Sequence, residues 1–171
     1  GPYQSGTPRT GHYMKIERIF TKDGQDAYAD VDFTTTTSEI RNPDGTIVFR
    51  LDEVEVPERW SQVASDVIAQ KYFRKAGVPA RLKKVREKGV PEFLWRSVAD
   101  EKALAELPED ERFGGETSAR QVFDRLAGVW AYWGWKGGYF TKDTDAWAYF
   151  DEIRSMLATP RAAHNSTHRS H

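Results

Sequence analysis

Few residues of this chain have the types and spacing that chemistry requires. None of the 171 residues is Cys, which excludes disulfides, thiolate metal sites, iron–sulfur clusters and any thiol nucleophile or thiyl radical. Phosphate-binding glycine loops, dinucleotide fingerprints, zinc-protease motifs and serine-hydrolase elbows are also absent from the sequence. Asp151 and Glu152 are adjacent, so on a helix they point to different sides and form no acid/base couple. We therefore assign no catalytic residue to this chain.

Three of the four His residues lie close to the carboxyl end: His164, His168 and His171. They would need a helix to bring them together as metal ligands, and Pro160 with the polar residues after it argues against one. We interpret the stretch as a solvated tail and assign no metal site.

Two blocks of opposite charge follow each other in the middle of the chain. Residues 71–88 contain eight Lys or Arg and one Glu, whereas residues 99–116 contain seven acids and two bases. The basic block with Tyr72 and Phe73 could bind a nucleic-acid backbone and stack bases on the rings. The rings lie on or beside a helical apolar stripe, however, and the acidic block could pair with the basic one. We favour a solvated or internally paired surface over nucleic-acid binding.

The segment 129–140, with the sequence VWAYWGWKGGYF, is dense in aromatic rings. Two of its Trp residues continue a helical stripe and are assigned to the core: Trp130 and Trp133. Three further rings lie around the glycines that follow: Trp135, Tyr139 and Phe140. Since these three cannot share one helix face, we predict a docking surface for a protein and keep a ligand platform as the alternative.

Local patterns predict the elements that would position these residues. Strand-forming residues flank Asn42-Pro43-Asp44-Gly45, which predicts a hairpin over 34–51. Apolar spacing predicts a helix from Trp60 to Tyr72, and a capping box at Ser118 and Gln121 opens another. Further helices are predicted over these stretches: 81–88, 91–99, 100–107 and 144–157. The predicted fold is mostly α with a small N-terminal β-hairpin element, an α+β single small domain.

The ends of the chain differ in composition from the middle. The Gly-Pro start is typical of a protease-cleavage remnant, so residues 1–13 are interpreted as a non-native or disordered arm. We expect a hairpin-containing part over 14–57, a helical domain over 58–159, and a disordered, non-native tail over 160–171. The sequence contains no long apolar run and no export signal, so we expect no membrane contact and a cytoplasmic location.

Three long strings carry a resemblance to a known family. They are SEIRNPDGTIVFRLDEVEVPERWSQVASDVIAQKYFRKAGVPARLKKV, ETSARQVFDRLAGVWAYWGWKGGYF and FDEIRSMLATPRAAHNS. They closely resemble the N-terminal region of the bacterial adenosylcobalamin-dependent, class II ribonucleotide reductases, over residues 14–166. The resemblance implies an enzyme that reduces ribonucleotides through a cysteine thiyl radical, inside a ten-stranded barrel that follows the matched region.

The resemblance weakens at the carboxyl end. Asn165 and Ser166 match a step that in the family lies near the substrate phosphate, which implies a remnant of that phosphate loop. His164 stands where the family has Pro, Pro160 stands where a polar residue is usual, and the sequence from Thr167 onward departs from the family. We interpret this end as frameshifted or vector-derived.

The expected function follows from the resemblance. The chain is expected to be an N-terminal fragment of a B12-dependent ribonucleoside-diphosphate reductase that packs on the catalytic barrel and is inert alone. Adenosylcobalamin is implied for the whole enzyme, and no cofactor is expected in this fragment. Its expected partners are the barrel and a second copy. The alternative is a stand-alone binding module, which uses the basic 71–88 face for nucleic acid or the aromatic 129–140 cluster for a protein.

Overall fold

The computed structural model describes residues 15–160. The predictions for the arm over 1–13 and for the tail beyond Pro160 lie outside these residues. The same holds for Asn165 and Ser166, and for the three His residues near the carboxyl end.

Short strands and helices alternate along the described chain. The strands are β1 Phe33–Arg41, β2 Ile47–Pro57, β3 Val78–Pro79, β4 Leu82–Val85, β5 Arg96–Ala99 and β6 Phe113–Gly114. The α-helices are α1 Gln62–Val67, α2 Glu101–Ala105, α3 Ala119–Lys136 and α4 Asp143–Ala158. A π-helical turn, Ile68–Tyr72, continues α1, and 3-10 turns occur at Glu92–Leu94 and Glu109–Glu111. The strands pair antiparallel, β1 with β2, β3 with β6 and β4 with β5.

The prediction of a mostly α fold is wrong. Helices account for 38% and strands for 23% of the structure, which makes it a small α+β fold. The error lies mainly in residues 81–88 and 91–99, which were predicted as helices. Residues 82–85 of the first segment form β4, and residues 96–99 of the second form β5. The two strands pair from Leu82 with Ala99 to Val85 with Arg96. Each segment is too short for a helix stable by itself, so pairing between them overrides the helix propensity of their Lys, Arg and Glu residues.

The predicted hairpin is confirmed. Strands β1 and β2 pair on both sides of the turn, and the amide of Asn42 donates to the carbonyl of Thr46 over 2.8 Å. Gly45 has a φ of 90°, a conformation that residues with a side chain rarely adopt. A shift in register between Ile40 and Arg41 accommodates the longer loop as a bulge.

Helix α3 begins at the predicted capping box. The Ser118 side chain accepts from the first-turn backbone, and the amide of Ser118 donates to the Gln121 side chain over 2.9 Å. The predicted apolar stripe, in contrast, is rotated in its second half. Trp130 is 38% exposed and Trp133 is 64% exposed. The buried positions there are small, Ala127 and Ala131, because α4 packs close to this face of α3.

Two apolar cores hold the elements together. The first joins the hairpin base to α3 and the end of α4, and its buried members are Tyr28, Val54, Val56, Ile68, Ala69, Phe73, Ala119, Val122, Phe123 and Ala158. The second lies at the other end of α3, and its buried members are Val90, Leu94, Ala131, Phe140 and Ala146. Within residues 15–160, no helix has both the length and the apolar content needed to cross a membrane.

Candidate interaction groove

The three rings predicted to form a docking surface have different environments. Phe140 is only 6% exposed and belongs to the second core. Trp135 is half-buried against the same core. Tyr139 is 43% exposed. A surface built on these residues is therefore limited to Tyr139 and the outer part of Trp135.

The residues that bury these rings come from a part of the chain that is distant in sequence. The indole N–H of Trp135 donates to the carbonyl of Gly89 over 2.7 Å, and Val90 and Leu94 pack in the same core. Glu87 accepts from the Tyr132 hydroxyl over 2.9 Å and from Lys136 Nζ over 2.8 Å. The loop around residues 87–95 thus closes over the end of α3. Inspection of residues 129–140 alone could not reveal this contact.

A different set of apolar side chains is open to solvent and faces a common groove of about 1430 Å³. Five large, exposed apolar residues line it: Leu82, Phe113, Val129, Trp133 and Trp147. They come from four elements, β4, β6, α3 and α4, so no local sequence pattern unites all five. Exposed apolar side chains gathered around one groove are typical of interaction sites in soluble proteins. We call this feature the α3 groove.

A buried ion cluster supports one end of the α3 groove. The Glu116 side chain is fully buried and lies 3.1 Å from Arg74 Nη2 and 3.0 Å from Arg125 Nε. Its Oε1 also accepts from the backbone amide of Arg74 over 2.8 Å. Burial alone would raise the pKa of Glu116, but the hydrogen bonds from Arg125 and Arg74 outweigh it and lower this pKa. Glu116 is therefore ionised at neutral pH and locks the loop before α3 to the segment after the π-helical turn.

Two basic side chains of the 71–88 block, Arg74 and Lys75, are engaged in contacts within the chain. Arg74 pairs with Glu116 of the acidic block. Lys75 Nζ lies within 3.1 Å of the carbonyl oxygens of Ala69, Gln70 and Phe73. The ion pair with Glu116 reduces the net charge that Arg74 could offer a phosphate backbone, and nucleic-acid binding by this face stays the disfavoured alternative.

A second buried cluster fixes the segment before the hairpin to α4. Asp151 accepts from Arg18 Nη1 over 2.7 Å. Glu152 accepts from the backbone amides of Ile19 and Thr21 over 2.9 and 2.8 Å. Burial would raise the pKa of Glu152, but the hydrogen bonds from the Thr21 hydroxyl and from the amides of residues 19–21 lower it on balance. The two adjacent acids therefore anchor the segment before the hairpin to α4.

The described residues include neither His nor Cys as possible metal ligands. All four His residues lie outside residues 15–160, and the whole chain lacks Cys. Within the described range, no group of three or more acidic side chains is arranged to hold a metal ion. We therefore assign no residue of this part of the chain to a cofactor.

The sequence is similar to those of known proteins over most of its length. A family model described as class II vitamin B12-dependent ribonucleotide reductase matches residues 34–160. A vitamin B12-dependent ribonucleotide reductase from Bradyrhizobium diazoefficiens is 69% identical over 153 residues, and one from Agrobacterium fabrum is 67% identical over the same length. A protein of the same name from Streptomyces coelicolor is 30% identical over 141 residues.

The alignments cover most of this chain but only a small part of each relative. The alignments with the Bradyrhizobium and Agrobacterium proteins cover 90% of this chain and 12% of each relative. For the Streptomyces protein the corresponding shares are 76% and 14%. The chain thus spans about an eighth of the length of the reductases that it matches.

Proposed function

Since the chain belongs to the class II vitamin B12-dependent ribonucleotide reductase family, we propose that it serves as a structural region of such an enzyme, packing on the catalytic part. The observation that carries this proposal is the combination of 69% identity over 90% of the chain with coverage of only 12% of the relative. A region so similar to a small part of a large enzyme is expected to make the contacts that this part makes with the rest of the enzyme.

The composition of the chain supports a structural role. Its resemblance to the family implies a radical on a cysteine as the reacting group, and this chain contains no Cys. Its buried acids, Glu116, Asp151 and Glu152, are engaged in ion pairs and backbone hydrogen bonds. We therefore propose that the chain alone does not reduce ribonucleoside diphosphates, and that cobalamin binds elsewhere in the whole enzyme.

A chimeric reductase tests the proposal. The 153 matching residues of this chain would replace their counterparts in the Bradyrhizobium enzyme, and reduction of a ribonucleoside diphosphate would be measured with adenosylcobalamin and a dithiol. We expect the chimera to be active and the chain alone to give no turnover above a heat-killed control. Hydrogen exchange of residues 15–160 should be slower in the chimera than in the chain alone. Turnover by the chain alone, or exchange that is identical in the two proteins, would contradict the proposal.

A further inference from the structure

We infer that the α3 groove receives an uncharged segment bearing large apolar side chains, and that this segment belongs to the remaining polypeptide of the reductase. This inference rests on the proposed function and adds the surface through which the two parts meet. The contact surface is therefore centred on Trp133 in the α3 groove, and not on the predicted rings Trp135, Tyr139 and Phe140.

The chemistry of the walls calls for apolar side chains in the partner. Trp133 is the most exposed of the five large apolar side chains that line the groove, with Val129 one turn before it and Trp147 on the neighbouring helix. Leu82 and Phe113 face the same space from the short strands. Rigid aromatic rings beside aliphatic side chains are typical of the centre of a protein interface, since they bury much area at a small cost in conformational entropy.

The charges of the groove argue against a phosphate-bearing ligand. Five basic and five acidic side chains line the groove, so it has no net charge with which to attract an anion. Several of them already neutralise each other, as Arg74 and Arg125 do with Glu116, and as Arg154 does with Asp124 over 3.2 Å. Lys84 Nζ lies 3.3 Å from the carbonyl oxygen of Trp95. A nucleotide would have to break these pairs, whereas an apolar polypeptide segment would leave them intact.

The source of the partner follows from the lengths of the related proteins. The chain matches 12% of the Bradyrhizobium reductase, so most of that polypeptide lies outside the matched region. At 69% identity the surface of the chain is expected to be fitted to that remainder. A segment of the same polypeptide is also held near the groove at high effective concentration, which favours it over a separate protein.

Hydroxyl-radical footprinting can test this inference on intact proteins. The oxidation rates of individual Trp residues would be measured by mass spectrometry in the 171-residue chain and in the active chimera described above. Trp130 is a matched control, because it lies on the same helix, is 38% exposed and does not line the groove. We expect oxidation of Trp133 to fall several-fold in the chimera, while oxidation of Trp130 changes little.

The outcomes separate this inference from the proposed function. If the chimera is active and other surfaces of residues 15–160 are protected while Trp133 is not, the inference is wrong and the proposed function stands. If no surface is protected, both fail. If Trp133 becomes protected in the chain alone as its concentration rises, a second copy occupies the groove and the inference is overturned. A W133S chimera should be less heat-stable than the parent, whereas a W130S chimera should match the parent, and equal stability of all three would also count against the inference.

Discussion

The ring of Phe140 lies directly against Gly134. A β-carbon on residue 134 would come within 2.6 Å of ring atom Cε2 of Phe140. The chain reverses between them through Gly138, which has a φ of 72°, and the amide of Tyr139 donates to the carbonyl of Gly134 over 2.9 Å. The absence of a side chain at Gly134 thus leaves room for Phe140 to pack under α3 and enter the second core.

The first prediction concerns this contact. G134A should destabilise the protein by about 1 kcal/mol, since overpacking a core costs about 2 kcal/mol and the higher helix propensity of Ala returns about 1 kcal/mol. Unfolding in urea, followed by circular dichroism, measures the difference. G128A is the matched control on the same helix, because its β-carbon would meet Phe150 at an ordinary 3.9 Å. That variant should be more stable than the parent, and equal effects of the two changes would refute the packing argument.

A second prediction separates the two neighbouring rings. W135F should lower the free energy of unfolding by about 1 kcal/mol, because it removes the hydrogen bond to the carbonyl of Gly89 and leaves that acceptor unpaired. Y139S should change it by no more than about 0.5 kcal/mol, since the Tyr139 side chain is exposed. Thermal unfolding of the parent and of both variants measures these differences. If Y139S were the more damaging change, the placement of these rings would be incorrect.

Local signals in the sequence were sufficient for some elements. The Asn42-Pro43-Asp44-Gly45 turn and the box of Ser118 and Gln121 depend on contacts between residues a few positions apart, and both are confirmed. The strands β4 and β5 depend on each other across a loop, so their own residues favoured the wrong element. Pairing of this kind leaves no mark in either segment taken alone.

The candidate site was harder to predict for a similar reason. Hydrophobicity favoured Trp133 as a core residue, yet close packing of two helices selects small side chains at the contact, and Ala127 and Ala131 occupy it. The four-residue spacing of these alanines was the available signal. Phe140, in turn, is buried by Val90 and Leu94, whose contact with it depends on the tertiary fold.

A third prediction concerns the buried ion cluster beside the groove. E116Q should destabilise the protein by about 2 kcal/mol, since it removes charge-assisted hydrogen bonds to Arg74 and Arg125. E39Q is the control, because Glu39 pairs with Arg41 and Arg50 at the surface and its loss should leave the urea midpoint nearly unchanged. Similar midpoints for both variants would mean that burial does not strengthen the Glu116 cluster.

The last prediction is a pH dependence that originates at Glu152. The pKa of Glu152 is lower in the folded chain than in the unfolded chain, where it is about 4.3, so the unfolded state takes up a proton first as the pH falls. The contribution of the carboxylate to stability is therefore complete above that value and is lost as the pH drops toward the folded pKa. At pH 7, E152Q should be less stable by about 2 kcal/mol, because the amides of residues 19–21 lose a charged acceptor.

Urea unfolding of both proteins at several pH values from 7 down to 3 measures this effect. The stability difference between the parent and E152Q should stay constant down to about pH 5 and shrink below it, since the parent then becomes protonated and the two side chains carry the same charge. Hydrogen exchange at the amides of Ile19 and Thr21 should be faster in E152Q at neutral pH and converge with the parent in acid. A difference that is constant over the whole range would show that the ionised state of Glu152 is not what holds this segment to α4.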